Sequence, residues 1–178
     1  GPDAEGQWTD ASVALGHRRL SIIDLDAKSN QPMISHDGKY IITFNGEIYN
    51  YTQLKEKLDL EKGPAAWRGG SDTEVLLEAL EAYGVREGVA MCKGMFAFAL
   101  YDQKEKALWL CRDRIGEKPL YYGFVGGSFV FASEIGAIAA LPGFQNPVDK
   151  NVLGLYLENG YIPAPYSVYE GIYKLKPG

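Results

Sequence analysis

The sequence predicts an α+β protein in which two antiparallel sheets lie face to face with helices on the outside. Three observations carry this expectation. MFAFALYD, Met95 to Asp102, is apolar at consecutive rather than alternate positions, so a strand there must be covered on both faces. Strand-rich segments follow one another across short polar or glycine turns, the pattern of antiparallel hairpins. Other segments, DTEVLLEALEAY above all, place apolar residues three and four apart and read as amphipathic helices.

The elements follow in chain order. GPDAEGQW, at the start, reads as turn chemistry, and SVALGHRRLSII, Ser12 to Ile23, as one or two strands interrupted near Gly16. SNQPM (Ser29 to Met33) is a loop and HDGK (His36 to Lys39) a tight turn. YIITF then runs as a strand into Asn45-Gly46. Asn-Gly after a strand ordinarily signals a hairpin, because both residues tolerate positive φ. Here, though, Ile48, Tyr51, Leu54 and Leu58 follow at helical spacing, with Lys55, Glu56 and Lys57 on the other face. The Asn-Gly is therefore expected to join a strand directly to a helix. After the irregular KGPAAWRGGSD, Ser71 and Glu74 form an S-x-x-E capping box. The helix it opens should bury Val75, Leu76, Ala79, Leu80 and Tyr83 and stop at Gly84. MFAFALYD and KALWLCRDR form one hairpin, and PLYYGFV and SFVFASE a second across Gly126-Gly127. EIGAIAALPG and DKNVLGLYLENG are short helices. Residues 1–178 are read as one domain without internal repeat or linker.

Composition bounds the function. With 178 residues, 46% of them hydrophobic and 12% aromatic, the chain has a globular core. Its net charge of −5 is spread among interspersed acids and bases, with no basic stripe of the kind a nucleic acid needs. Cys92 and Cys111 show no metal-ligand spacing, and a reduced, cytoplasmic setting is the simplest account of two cysteines. No apolar run reaches membrane-spanning length. Both ends, GPDAEGQW and YKLKPG, read as cut from something longer.

Four polar sites stand out. Arg18 and Arg19 fall on opposite faces of a strand, so one of them points inward and needs a carboxylate, from a ligand or from the protein. Asn45-Gly46-Glu47 either caps a helix or offers donors to a negative oxygen. Asp72 stands in a first helical turn, which dipole complementarity alone explains. CRDRIGEKPLYYG crowds charges before a glycine and a proline, as an ion-pair cluster or a partner surface. No P-loop, G-x-S-x-G, H-E-x-x-H or CxxC is present.

Taken in order, GPDAEGQW, GHRRLSIIDLD, SNQPM, FNGEIYNY, GSDTEVLLEA, GMFAFALYD and RDRIGEKPLYY resemble the glutaminase domain of glutamine-hydrolysing asparagine synthetases. The resemblance covers essentially the whole chain. It implies a four-layer αββα sandwich of the N-terminal-nucleophile (Ntn) hydrolases and a domain that hydrolyses glutamine to glutamate and ammonia. Arg19 would grip the α-carboxylate of glutamine, and Asp72 with Glu47 its α-ammonium. The Asn45 side chain and the Gly46 N–H would form the oxyanion hole. The family's nucleophile, an N-terminal cysteine whose own amine is the base, lies upstream of Gly1, so the segment by itself is expected to be inactive. The resemblance implies no cofactor or metal in this domain. ATP and Mg are expected in a synthetase domain after Gly178, which would receive the ammonia and amidate aspartate. A homodimer of the full-length enzyme is compatible with it. Two other readings stay open: a non-catalytic scaffold like that of β-lactam synthetase, and an amidotransferase serving another acceptor such as a cell-surface sugar precursor.

Overall fold

In the computed structural model, residues 4–19, 29–63 and 67–178 are described, and they form two compact units, residues 1–110 and 111–178. In the first unit, β1 (Ala4–Thr9) and β2 (Ala14–Arg19) pair as an antiparallel ribbon, Ala4 opposite Arg19 and Thr9 opposite Ala14. This corrects two expectations. From Ala4 the chain extends rather than turns (positions 1–3 lie outside the described residues), and β2 runs without a break through Gly16, which pairs with Gln7. Gly16 keeps the ladder because the ribbon leaves its side open: a Cβ there would meet nothing within 4 Å. The reading beyond Arg19, at positions 20–23, lies outside the described residues.

The main sheet has the order β3-β4-β5-β6. Here β3 is Met33–Ile34, β4 Tyr40–Ile48, β5 Gly94–Asp102 and β6 Ala107–Arg112. β4 and β5 pair over their full nine residues, from Tyr40 opposite Asp102 to Ile48 opposite Gly94. Their burial on both faces, read from MFAFALYD, is what the structure shows: Phe96, Phe98, Leu100 and Tyr101 are all buried. Alternation sorts the faces. Tyr101 meets Trp8 of β1 at a ring-centroid distance of 5.6 Å and donates its hydroxyl to Asp10 Oδ2 at 2.9 Å, so the ribbon covers that face. Phe44, Phe96 and Phe98 stack on the other face. The helices are α1 (Tyr51–Lys62), α2 (Asp72–Tyr83) and α3 (Val85–Met91); α2 packs on β4, and α1 and α3 pack on α2.

The joint between β4 and α1 differs from the sequence expectation. The strand continues through Asn45, Gly46 and Glu47 to Ile48, and the helix begins only at Tyr51 behind Asn50. Asn50 fixes this start by accepting from Lys93 N (2.7 Å) and donating to Met91 O (3.0 Å). Asn45-Gly46 is thus inside a strand. The helix reading held for Leu54 and Leu58, which are buried.

For α2, Ser71 accepts from Glu74 N, the expected half of the capping box. The other half is replaced, since the Glu74 carboxylate accepts from Arg68 N (2.7 Å) and Gly69 N (2.9 Å). Val75, Leu76, Ala79 and Leu80 are buried as expected, and Leu77 with them, while Tyr83 is only half-buried.

In the second unit, β7 (Tyr121–Val125) lies between β8 (Ser128–Ala132) and β9 (Ile172–Lys174). The β7–β8 hairpin turns at Gly126-Gly127 as anticipated, and Val125, Ile138 and Ile172 form the core beneath it. α4 (Ile135–Ala139) and α5 (Lys150–Asn159) match the two short helices. The charged run CRDRIGEKP is a backbone staple. Asp113 accepts from the N–H groups of Ile115, Gly116, Glu117 and Lys118, while Arg112 donates to the carbonyls of Gly116, Lys118 and Leu175. Burial pushes the Asp113 carboxyl up, but these amides outweigh it and hold it below the usual carboxylate range. Asp113→Ala is expected to cost on the order of 3 kcal/mol, read as a lower thermal midpoint, because four backbone amides lose the one buried carboxylate that accepts from them all.

Candidate active site at the open edge of strand β4

Beyond the short β3, the outer edge of β4 has no partner strand among the described residues, and side chains take over its backbone groups. Gln31 Oε1 accepts from Phe44 N at 2.6 Å. His17 Nε2 donates to Phe44 O at 3.1 Å. Asp72 Oδ2 accepts from Ile48 N at 2.8 Å. Antiparallel strands turn the N–H of every second residue to the same edge, so Gly46 presents its N–H there too, between two amides already engaged. Among the described residues it has no acceptor.

Gly46 is required at this point. Its φ is +154°, and a Cβ would stand 2.2 Å from Met95 O and 2.6 Å from Phe96 Cα. Backbone cannot yield to such a contact as a flexible side chain can. Its neighbour Asn45 is exposed, and its carboxamide is unengaged among the described residues. A backbone N–H and a carboxamide at one exposed strand position are two donors that can meet a developing oxyanion.

Charges of both signs adjoin these donors. Asp72, the first residue of α2, is 6% exposed. Burial pushes its carboxyl above the usual range, against the lowering effect of the Ile48 and Thr73 amides, and nearby Glu47 raises it further. Two carboxylates in one place, one of them desolvated, make a setting that a cation relieves. Arg19 leaves β2 on the half-buried side it shares with His17, while Arg18 is exposed, so the expected division of the pair is observed. Its Nη1 donates to Asn30 Oδ1 at 3.0 Å. The next residue, Gln31, reaches Thr73 Oγ1 at 3.5 Å and so links β4 to the first turn of α2. Arg19 and Asp72 are thus joined through the Asn30-Gln31 segment to the same stretch of β4.

Sequence reasoning singled out Arg19, Asn45, Gly46, Glu47 and Asp72, passed over Asn30 and Gln31, and read Glu74 only as the partner of Ser71 in a capping box. Gln31 stood in SNQPM as an ordinary loop residue, and only the unpaired edge of β4 gives its amide a task. Neither cysteine belongs to the site. Cys92 is fully buried with its Sγ donating to Gly88 O, and burial pushes the Cys111 thiol up to about 11, the reverse of what a nucleophile needs. No group of three or more His, Cys, Asp or Glu among the described residues is arranged to hold a metal ion.

The model of the glutamine amidotransferase domain matches residues 1–178, and the chain belongs to that family. A putative glutamine-hydrolysing asparagine synthetase of Methanocaldococcus jannaschii is 39% identical over 99% of this chain and 37% of its own length. Asparagine synthetase 1 of Bacillus subtilis is 39% identical over the whole chain and 27% of its own. An amidase, chry2, of Gibberella zeae is 35% identical over the whole chain and 26% of its own. This chain therefore spans about a quarter to two fifths of these relatives. Among solved structures, glutamine phosphoribosylpyrophosphate amidotransferase from B. subtilis superposes with a TM-score of 0.62 at 28% identity, over 76% of this chain and 31% of that one. The fold is that of the Ntn-type amidotransferases, as the resemblance implied. No helix among the described residues is long and apolar enough to cross a membrane.

Proposed function

We propose that this domain binds glutamine at the β4 edge and supports hydrolysis of its side-chain amide to glutamate and ammonia. The observation that carries this is the Gly46 N–H, unclaimed between two engaged amides and next to the exposed Asn45 carboxamide. The α-carboxylate of glutamine pairs with the Arg19 guanidinium and its α-ammonium with Asp72 and Glu47, which leaves the amide carbonyl for the two donors. A thiolate adds to that carbonyl, and the carbonyl electron pair moves onto oxygen, where Asn45 and Gly46 stabilise it. The oxyanion then collapses, the C–N bond breaks, and the nitrogen leaves as ammonia after taking a proton. Water completes the cycle by releasing glutamate. Neither Cys92 nor Cys111 is suited to supply the thiolate, so it comes from a residue outside these 178.

In the full-length protein the ammonia serves ATP- and Mg-dependent amidation of aspartate, carried out by a synthetase domain, in a cytoplasmic enzyme that pairs as a homodimer. The names of the relatives support asparagine as the product, and their greater length supports a further domain. The test is isotopic. Amide-¹⁵N glutamine given to the full-length protein with ATP, Mg and aspartate should yield ¹⁵N-asparagine. Labelled ammonia without asparagine would leave the glutaminase reading intact and point to another acceptor.

The raised carboxyl of Asp72 gives a pH signature. Below its folded-state pKa it is protonated and offers no charge to an ammonium. Glutamine itself does not titrate between about pH 4 and pH 7. Affinity should therefore fall on acidification while still above the ordinary aspartate range, and Asp72→Asn should be weak and flat with pH. For folding the sign is opposite. The raised pKa favours the empty folded state at low pH, and that contribution is lost as pH rises from the ordinary value through the folded one.

A further inference from the structure

Glu74 is a charged side chain buried to 2% exposure, and the mechanism above does not use it. Burial of a carboxylate needs full compensation, and its partners show where that compensation comes from. Oε1 accepts from Arg68 N at 2.7 Å and from Arg68 Nε at 3.4 Å, and Oε2 accepts from Gly69 N at 2.9 Å. His36 Nε2 lies 3.2 Å from Oε1, and the other ring nitrogen of His36 lies 3.5 Å from Glu78 Oε2. Arg68 in turn donates to Ile34 O of β3 at 2.7 Å.

An ordinary capping-box glutamate bonds the cap residue's own N–H. Glu74 reaches past Ser71 to two consecutive amides earlier in the chain. It thereby folds Arg68–Gly70 back against the start of α2, and that loop leads directly into Asp72. The sheet holds the loop from the other side through Ile34 and His36. Asp72 is thus fixed at both ends, by Ile48 N in front and by the Glu74-anchored loop behind.

We infer that Glu74 is a positioning residue for glutamine recognition: by holding the Arg68 and Gly69 amides it sets where the Asp72 carboxylate stands. The inference rests on the reading of Asp72 as the ammonium partner. Its effect belongs to binding of the α-amino group, not to the amide chemistry at Asn45 and Gly46.

The test uses the full-length protein. Glu74→Gln keeps the shape but sets an NH₂ against one of two amide donors. It should raise KM for glutamine on the order of tenfold, leave kcat within about twofold, and speed hydrogen exchange at the Arg68 and Gly69 amides. In the wild type, saturating glutamine should slow exchange at the same two amides, which keeps the test available should the variant fail to fold. An unchanged KM in Glu74→Gln beside a raised one in Asp72→Asn overturns the inference and leaves the functional reading standing. So does wild-type exchange at Arg68 and Gly69 that is indifferent to glutamine while glutamine is being turned over. A wild-type protein that neither binds nor hydrolyses glutamine overturns both.

Discussion

Replacing Gly46 by alanine is expected to abolish glutamine hydrolysis and to destabilise the domain by about 3 kcal/mol or more, at the upper end of overpacking costs. The added methyl would stand 2.2 Å from Met95 O and 2.6 Å from Phe96 Cα, both backbone atoms of the paired strand β5. Relief requires β4 and β5 to part where their ladder is otherwise continuous from Tyr40 to Ile48. That movement also displaces the Gly46 N–H. Thermal midpoint and turnover should therefore fall together. A soluble, wild-type-like Gly46→Ala enzyme would contradict the strand geometry described here.

Asn45→Ala is expected to separate the same two quantities. Asn45 is exposed and unengaged among the described residues, so its truncation leaves folding almost untouched. If its carboxamide donates to the tetrahedral oxyanion, kcat should fall by about two to three orders of magnitude, the usual cost of one such donor. KM should stay close to its original value, because the donor acts on charge that develops only in the transition state. An equal loss in KM, with kcat preserved, would make Asn45 a ground-state contact instead.

The contrast between these neighbours shows what could be read before any fold was known. The two-sided burial of β5 was legible because consecutive apolar residues admit few other solutions. The helix at 72–83 was legible because its cap, period and stop agree. The role of Asn45-Gly46 came from resemblance, whereas local pattern misplaced it: Asn-Gly promises a turn, yet a full-length pairing with β5 carried the strand on to Ile48. Gly16 was misread for the same reason, since a glycine breaks a strand only when nothing pairs with it. The task of Gln31 was not legible at all, and Glu74 was legible only as half of a capping box. Each acts on backbone amides that become available only once β4 is left with an open edge or α2 with a folded-back loop.

In the proposed reading glutamine lies along the β4 edge with its two ends held by opposite charges. A crystal structure of the full-length protein with bound L-glutamine tests this most directly. The α-carboxylate should lie on the Arg19 guanidinium, the α-ammonium on Asp72, and the amide oxygen within hydrogen-bond reach of Asn45 Nδ2 and Gly46 N. Glutamine bound elsewhere, with Arg19 and Asp72 making only protein contacts, would contradict it.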